Sequence, residues 1–256
     1  GSGGYGAARC CGGTDVLMIG MRCAVLICCA MALMVVMGAV RVATAQEFVV
    51  SDGALADRDF YRLIACAAPP GGACQKPFVR WVTARPLTVQ LERVDRAFLG
   101  GKSKRADAAL ERALQRIAAT GVGIELRRVT GAVGKPADIR ILLLDTPSGE
   151  LLAGTGVPGL DGQRLGGAST RIWFEAGKKP GEEARIARAA IVFSRSLSIR
   201  SYESAMLEEL TQALGLMTDI RNPWYEPRSI FSQDSNAMKD LGAQDTMVVQ
   251  RHYPPK

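Results

Sequence analysis

The chain has 256 residues, of which 48% are hydrophobic and 22% charged, with a formal net charge of +7. This balance excludes a disordered or fibrous protein and supplies enough apolar side chains for one good core. Counted from Gln46, 29 basic residues (32 less Arg9, Arg22 and Arg41) face 24 acidic ones (25 less Asp15). The surplus is dispersed, and its densest cluster, Lys102, Lys104 and Arg105, has no interleaved aromatic residues, so composition points away from nucleic acid as a partner.

Residues 1–20, rich in Gly and Ala, precede the plausible start Met21 and read as an upstream extension. Met21-Arg22 opens a short basic start, Cys23 to Val40 is almost wholly apolar, and Ala43-Thr44-Ala45 gives the small-x-small pattern cut by a signal peptidase. Residues 21–45 are therefore expected to be a signal peptide and Gln46 the mature start, which makes the protein periplasmic or secreted. The alternative is an uncleaved anchor, since the apolar run is close to a bilayer span, and this is the one expected route to a membrane. A lipidated Cys28 or Cys29 fits poorly, because Ile27 or Cys28 would precede it where a small residue belongs.

Five of the seven cysteines fall in or before that segment, leaving Cys66 and Cys74. An even pair in an exported chain predicts a disulfide closing the Pro-Pro-Gly-Gly loop; the alternative is two buried thiols. Residues 46–80, with the polar stretch Asp57-Arg58-Asp59-Phe60-Tyr61, read as an N-terminal extension stapled to a domain over residues 81–256.

Within that domain Leu87, Val89 and Leu91 alternate as a strand, and Ala109, Leu110, Ala113, Leu114 and Ile117 repeat at helical spacing, predicting a helix over Ala106 to Ala119. Further strands are expected at Ile124–Val129, Ile139–Leu144, Arg171–Phe174 and Ala189–Phe193. The Gly-rich stretch from Pro147 to Ser169 predicts a long loop over one face. Its Gly154-x-Gly156-x-x-Gly159 matches a dinucleotide fingerprint only formally, because Pro158 intrudes and no amphipathic helix follows. A helix over Tyr202–Met217, a turn-rich segment and a last helix over about Asp245–Tyr253 complete the chain. The expected class is α+β, with a mixed twisted sheet of about five strands.

Residues Glu208 to Asp219 read E-E-L-T-Q-A-L-G-L-M-T-D. This is the frame of a metal-peptidase helix, H-E-x-x-H-x-L-G-L-x-H-D, in which two His one turn apart grip zinc, Glu activates water and Gly turns the chain toward a third ligand. Here Glu208 and Gln212 stand in the first two His positions, Thr218 in the third, Glu209 in the position of the base, and Gly215 and Asp219 are kept. The order of strand, helix, several strands and this helix resembles the zincin architecture. Ser229-Ile230-Phe231 resembles the tight turn of the metzincins, with Phe where they place Met. At 100° per residue Met206, Leu207, Leu210, Ala213, Leu214 and Met217 share one face and Glu208 and Gln212 project opposite, which by itself predicts a surface helix whose polar side faces water.

The chain also resembles an exported proteobacterial family catalogued as domain of unknown function 2927. The residues that carry the resemblance are Asp59-Phe60-Tyr61, Cys66 and Cys74, Arg80-Trp81, the run from Glu208 to Leu216, and Ser229-Ile230-Phe231. That family implies no established activity.

The one histidine, His252, lies four residues from the C-terminus, so no His-based zinc site and no Ser-His or Cys-His hydrolase is expected. A divalent cation, if bound, is expected to be a hard one on Glu208 and Asp219 with a weak Gln212 carbonyl, which leaves open a divergent hydrolase with Glu209 as base. Adjacent residues on a helix diverge by about 100°, so Glu208 and Glu209 cannot readily flank one bond. The preferred expectation is a pseudo-peptidase without cofactor, its old cleft a groove whose edge strand pairs with an extended peptide or envelope protein. In the plainest version Glu208 and Gln212 only hold the segment from Asn222 to Ser229 in place.

Overall fold

A computed structural model describes residues 40–255 apart from 45–46, 132–133 and 178–182. The expected upstream extension, and the signal segment before Val40, lie outside the described residues. Among the described residues no helix is long and apolar enough to cross a membrane.

The class is α+β, as expected, with four α-helices among the described residues and a larger sheet than sequence periodicity predicts. All five expected strands form: β4 (Leu87–Val94), β5 (Leu126–Arg128), β6 (Ile139–Leu144), β7 (Ala168–Glu175) and β8 (Ala184–Ser194). Two short strands extend this sheet to seven, β1 (Val40–Thr44) along β7 and β3 (Val79–Arg80) beside the start of β8. The order is β1-β7-β8-β6-β4-β5, with β4, β5, β6 and β8 parallel and β7 and β1 antiparallel to their neighbours. A separate parallel pair joins β2 (Glu47–Val50) to β9 (Thr218–Arg221).

The continuous apolar run of β6 is explained by two cores. Ile139, Ile141 and Leu143 face the helices, and Leu142 and Leu144 face the opposite side, where Leu152, Val157, Leu160 and Leu165 of the Gly-rich loop cover them. That loop is closed on itself: the Gly154 and Thr155 amides donate to Asp161 at 3.0 Å, and Gly154, Gly156 and Gly159 all take positive φ. No helix opens after it, in agreement with the rejection of a nucleotide fingerprint.

On the main face α2 (Gly101–Ala119) buries Ala106, Ala109, Leu110, Ala113, Leu114 and Ile117 against the sheet and α3 (Tyr202–Ala213). The stretch read as a polar extension is α1 (Asp57–Cys66), and its Phe60, Leu63 and Ile64 are fully buried. It packs on α4 (Ala243–His252) and β9. The Cys66–Cys74 disulfide is present. Every core side chain described belongs to residue 49 or later.

Candidate functional site: a carboxyl cleft beside the edge strand

The motif helix α3 ends at Ala213, four residues before the periodicity predicts, because Gly215 turns the chain with φ 104°. A Cβ there would lie 2.1 Å from the Val79 carbonyl and 3.1 Å from His252 Nε2, so only glycine fits. The last carbonyls of the helix find side-chain donors: Trp81 Nε1 donates to Ala213 O at 2.9 Å and the Tyr253 hydroxyl to Leu214 O at 2.7 Å. His252 closes the same end, with Nε2 3.0 Å from Val79 O and Nδ1 3.2 Å from the Tyr61 hydroxyl. The Val79 carbonyl can only accept, so Nε2 carries the proton and Nδ1 accepts from Tyr61. Burial pushes its pKa down to about 4, and the ring is neutral and structural.

The expectation of a water-facing polar side on α3 is overturned. Glu209 is 5% exposed and Gln212 2%, because the β2–β9 pair and the segment through Ser232 cover the face that periodicity leaves open. Between these elements and the first residues of β7 lies a cleft of about 390 Å³, lined among others by Glu208, Glu209, Gln212, Asp219, Ser232 and Phe48. Arg221 stacks on the Phe48 ring at 3.8 Å and steadies that rim.

The motif residues divide. Gln212 Nε2 donates to Asp219 Oδ1 at 2.9 Å, which leaves Gln212 Oε1 buried without a partner; Ser232 Oγ is in the same position. The Thr170 hydroxyl, from β7, donates to Glu209 Oε2 at 2.6 Å. Glu208, partly exposed, shares the cleft with both acids. Ser229 does not join them: its hydroxyl donates to Asp245 Oδ1 at 2.6 Å, which ties the turn to α4. The expected contact between Gln212 or Glu208 and the turn at Ser229 is therefore replaced by Gln212–Asp219 and Ser229–Asp245. Phe231 is a core side chain, its carbonyl accepting from the Ile220 amide at 2.8 Å.

Burial dominates the electrostatics. It pushes Glu209 up to about 8, against the Thr170 hydrogen bond and with help from Asp219. It pushes Asp219 up to about 7, against the Gln212 hydrogen bond and the charge of Lys76. Glu208 rises well above the usual carboxylate range through burial, then through the Asp219 and Glu209 charges. Burial thus favours the protonated forms of these acids relative to exposed carboxyls. Among the described residues no three His, Cys, Asp or Glu side chains are placed to hold one metal ion.

Sequence reasoning did not find Thr170, Ser232 or Phe48. Thr170 carried no distinguishing mark, because it sits inside the polar run Ser169-Thr170-Arg171 at the start of β7. The other two reach the cleft through non-local pairing of β2 and the Ser232 segment with β9.

The residues that build this arrangement, from Asp59-Phe60 and Arg80-Trp81 through the α3 motif to Ser229 and Tyr253, lie inside a stretch that a family model matches continuously, residues 58–256. The chain belongs to the family of proteins of unknown function DUF2927. No curated protein matches it. In this DUF2927 chain, Trp81 and Tyr253 secure the end of α3, and Cys66 and Cys74 close the loop after α1.

Proposed function

We propose that the protein is an exported, zincin-like pseudo-peptidase that binds an extended peptide along β7, over the carboxyl cleft. The observation that carries this reading is the edge of the sheet. β7 is tied to the cleft by Thr170, and its outer edge accepts Val40–Thr44 as an antiparallel strand over five registered pairs, from Val40 opposite Glu175 to Thr44 opposite Arg171. That segment falls within the predicted signal peptide, so cleavage before Gln46 leaves the edge open for a peptide of another protein. The order of strand, helix, strands and motif helix supports the zincin-like part, and the apolar run of Cys23 to Val40 with Ala43-Thr44-Ala45 supports export to the periplasm or beyond. A hydrolase using Glu209 as base is less well supported, because burial favours its neutral form at physiological pH.

The test uses the chain from Gln46 onward and a fluorescent peptide of the sequence Val40–Gln46, followed by anisotropy. Binding on the order of micromolar is expected. Methylating alternate peptide amides should abolish it, and the full chain should bind far less, since its own segment competes at an effective concentration of roughly millimolar. Equal binding of the methylated and plain peptides would show that strand pairing plays no part.

A further inference from the structure

On the reading just given, we propose that the cleft receives the side chain of a lysine or arginine carried by the peptide residue that lies opposite Thr170. Three features converge on this assignment.

The first is register. In an antiparallel pair, residues directly opposite one another point to the same face. Thr170 directs its hydroxyl to Glu209, and Ile172 on the same side enters the main core, whereas Trp173 enters the other. Thr44 is opposite Arg171, so the next residue of any peptide in this register stands opposite Thr170 and directs its side chain toward α3 and the cleft.

The second is an excess of acceptors. Gln212 is 2% exposed, its amide nitrogen is committed to Asp219, and its oxygen meets no donor. A buried acceptor without a donor costs about 1–3 kcal/mol, so a group bringing N–H bonds recovers that loss. Ser232 Oγ adds another unpartnered oxygen, and Glu208 presents its carboxyl from the helix. A guanidinium offers five N–H donors and an ammonium three, with no acceptor to satisfy in return.

The third is charge. Three carboxyl groups share the cleft; Thr170 donates to Glu209, Gln212 donates to Asp219, and the charge of Lys76 bears on Asp219. An arriving cation stabilises their ionised forms, so binding releases protons. An organic cation suits the donor set better than a metal ion, because no three acidic side chains converge on a single coordination centre.

The experiment compares peptides acetyl-Val-Gln-Val-Ala-Thr-X-Gln-amide with X arginine, its neutral isostere citrulline, or glutamate, titrated into the chain from Gln46 onward. The arginine peptide should bind on the order of tenfold more tightly than the citrulline peptide, and glutamate should bind weakest. Glu208→Gln should remove most of the arginine advantage, with a circular dichroism spectrum like the parent's showing that the variant is folded. Equal affinity for arginine and citrulline overturns this inference and leaves strand binding standing; failure of every peptide overturns both. Micromolar binding of calcium or manganese, with indifference to the side chain at X, would make the cleft a metal site instead.

Discussion

Two buried acidic sites, whose aspartates Asp219 and Asp245 lie 26 positions apart in sequence, are treated in opposite ways. At the start of α4, the single carboxyl of Asp245 accepts from Ser229 Oγ at 2.6 Å, Ile230 N at 3.0 Å and Gly242 N at 2.9 Å. In the cleft Thr170 donates to Glu209, Gln212 donates to Asp219 and the Lys76 charge bears on Asp219, while among the described residues the oxygens of Gln212 and Ser232 have no donor. Asp245 is raised by burial yet is opposed by three hydrogen bonds, whereas the cleft acids are raised by burial and by one another. A site whose acceptors are all met is complete without a ligand. One with surplus acceptors gains when a donor arrives, so the Asp245 knot belongs to the fold, and the cleft is where we propose that binding occurs.

The most damaging substitution should strike the backbone on which both sites depend. Gly215 joins α3, which carries Glu208, Glu209 and Gln212, to β9, which carries Asp219. Its positive φ and the 2.1 Å approach of a Cβ to Val79 O predict that Gly215→Ala costs more than about 3 kcal/mol, read as a fall in the urea midpoint. A loss below about 1 kcal/mol would mean that this end of α3 is soft and that the cleft geometry is not fixed by it.

Asp245→Ala strands three donors and should cost about 2–4 kcal/mol, while Glu208→Gln, partly exposed and without a required partner, should stay within about 1 kcal/mol at pH 5. Equal losses would erase the distinction between the two sites. Breaking the disulfide with Cys74→Ser should cost about 2–3 kcal/mol in the chain-entropy model. Since the bridge lies in neither acidic site, it should lower the urea midpoint without altering how stability depends on pH.

What was legible in the sequence follows from how local each signal is. The helix at Ala109–Ile117 and the strand at Ile139–Leu144 announce themselves within one short window, and both form. The motif run from Glu208 to Asp219 located the cleft, because spacing along one helix and the glycine after it are also local. Its burial was not legible: Gln212 faces protein and Glu208 is only partly exposed because Glu47–Val50 pairs with Thr218–Arg221, two segments about 170 residues apart that carry no mark of each other. Helix α1 had a readable pattern in Phe60, Leu63 and Ile64, which the charged residues around it and the cysteine loop after it obscured. The sequence places the turn at Ser229 against Glu208 and Gln212, whereas Ser229 pairs with Asp245, a partner fixed only when α4 docks.

The subtlest consequence is a dependence of stability on pH. Glu209, at about 8, and Asp219, at about 7, keep protons in the folded chain that the unfolded chain releases near pH 4. The folded state therefore binds more protons, and stability must fall as pH rises through this window toward 8. His252 works in the opposite sense below its ordinary 6.5, because the unfolded chain protonates it and the fold, with a pKa of about 4, does not. The cleft is thus read most cleanly above pH 6.5, where His252 is neutral in both states; there Asp219 and Glu208 interact with Glu209, and Lys76 acts on Asp219. Glu209→Gln keeps an oxygen for the Thr170 hydroxyl and cannot ionise. It should match the parent near pH 5 and exceed it by about 1–3 kcal/mol at pH 8.5, with a flatter fall of Tm between the two. An unchanged slope would mean that Glu209 is already ionised in the fold. The cleft would then be as well compensated as the Asp245 knot, and its claim to await a cation would fail.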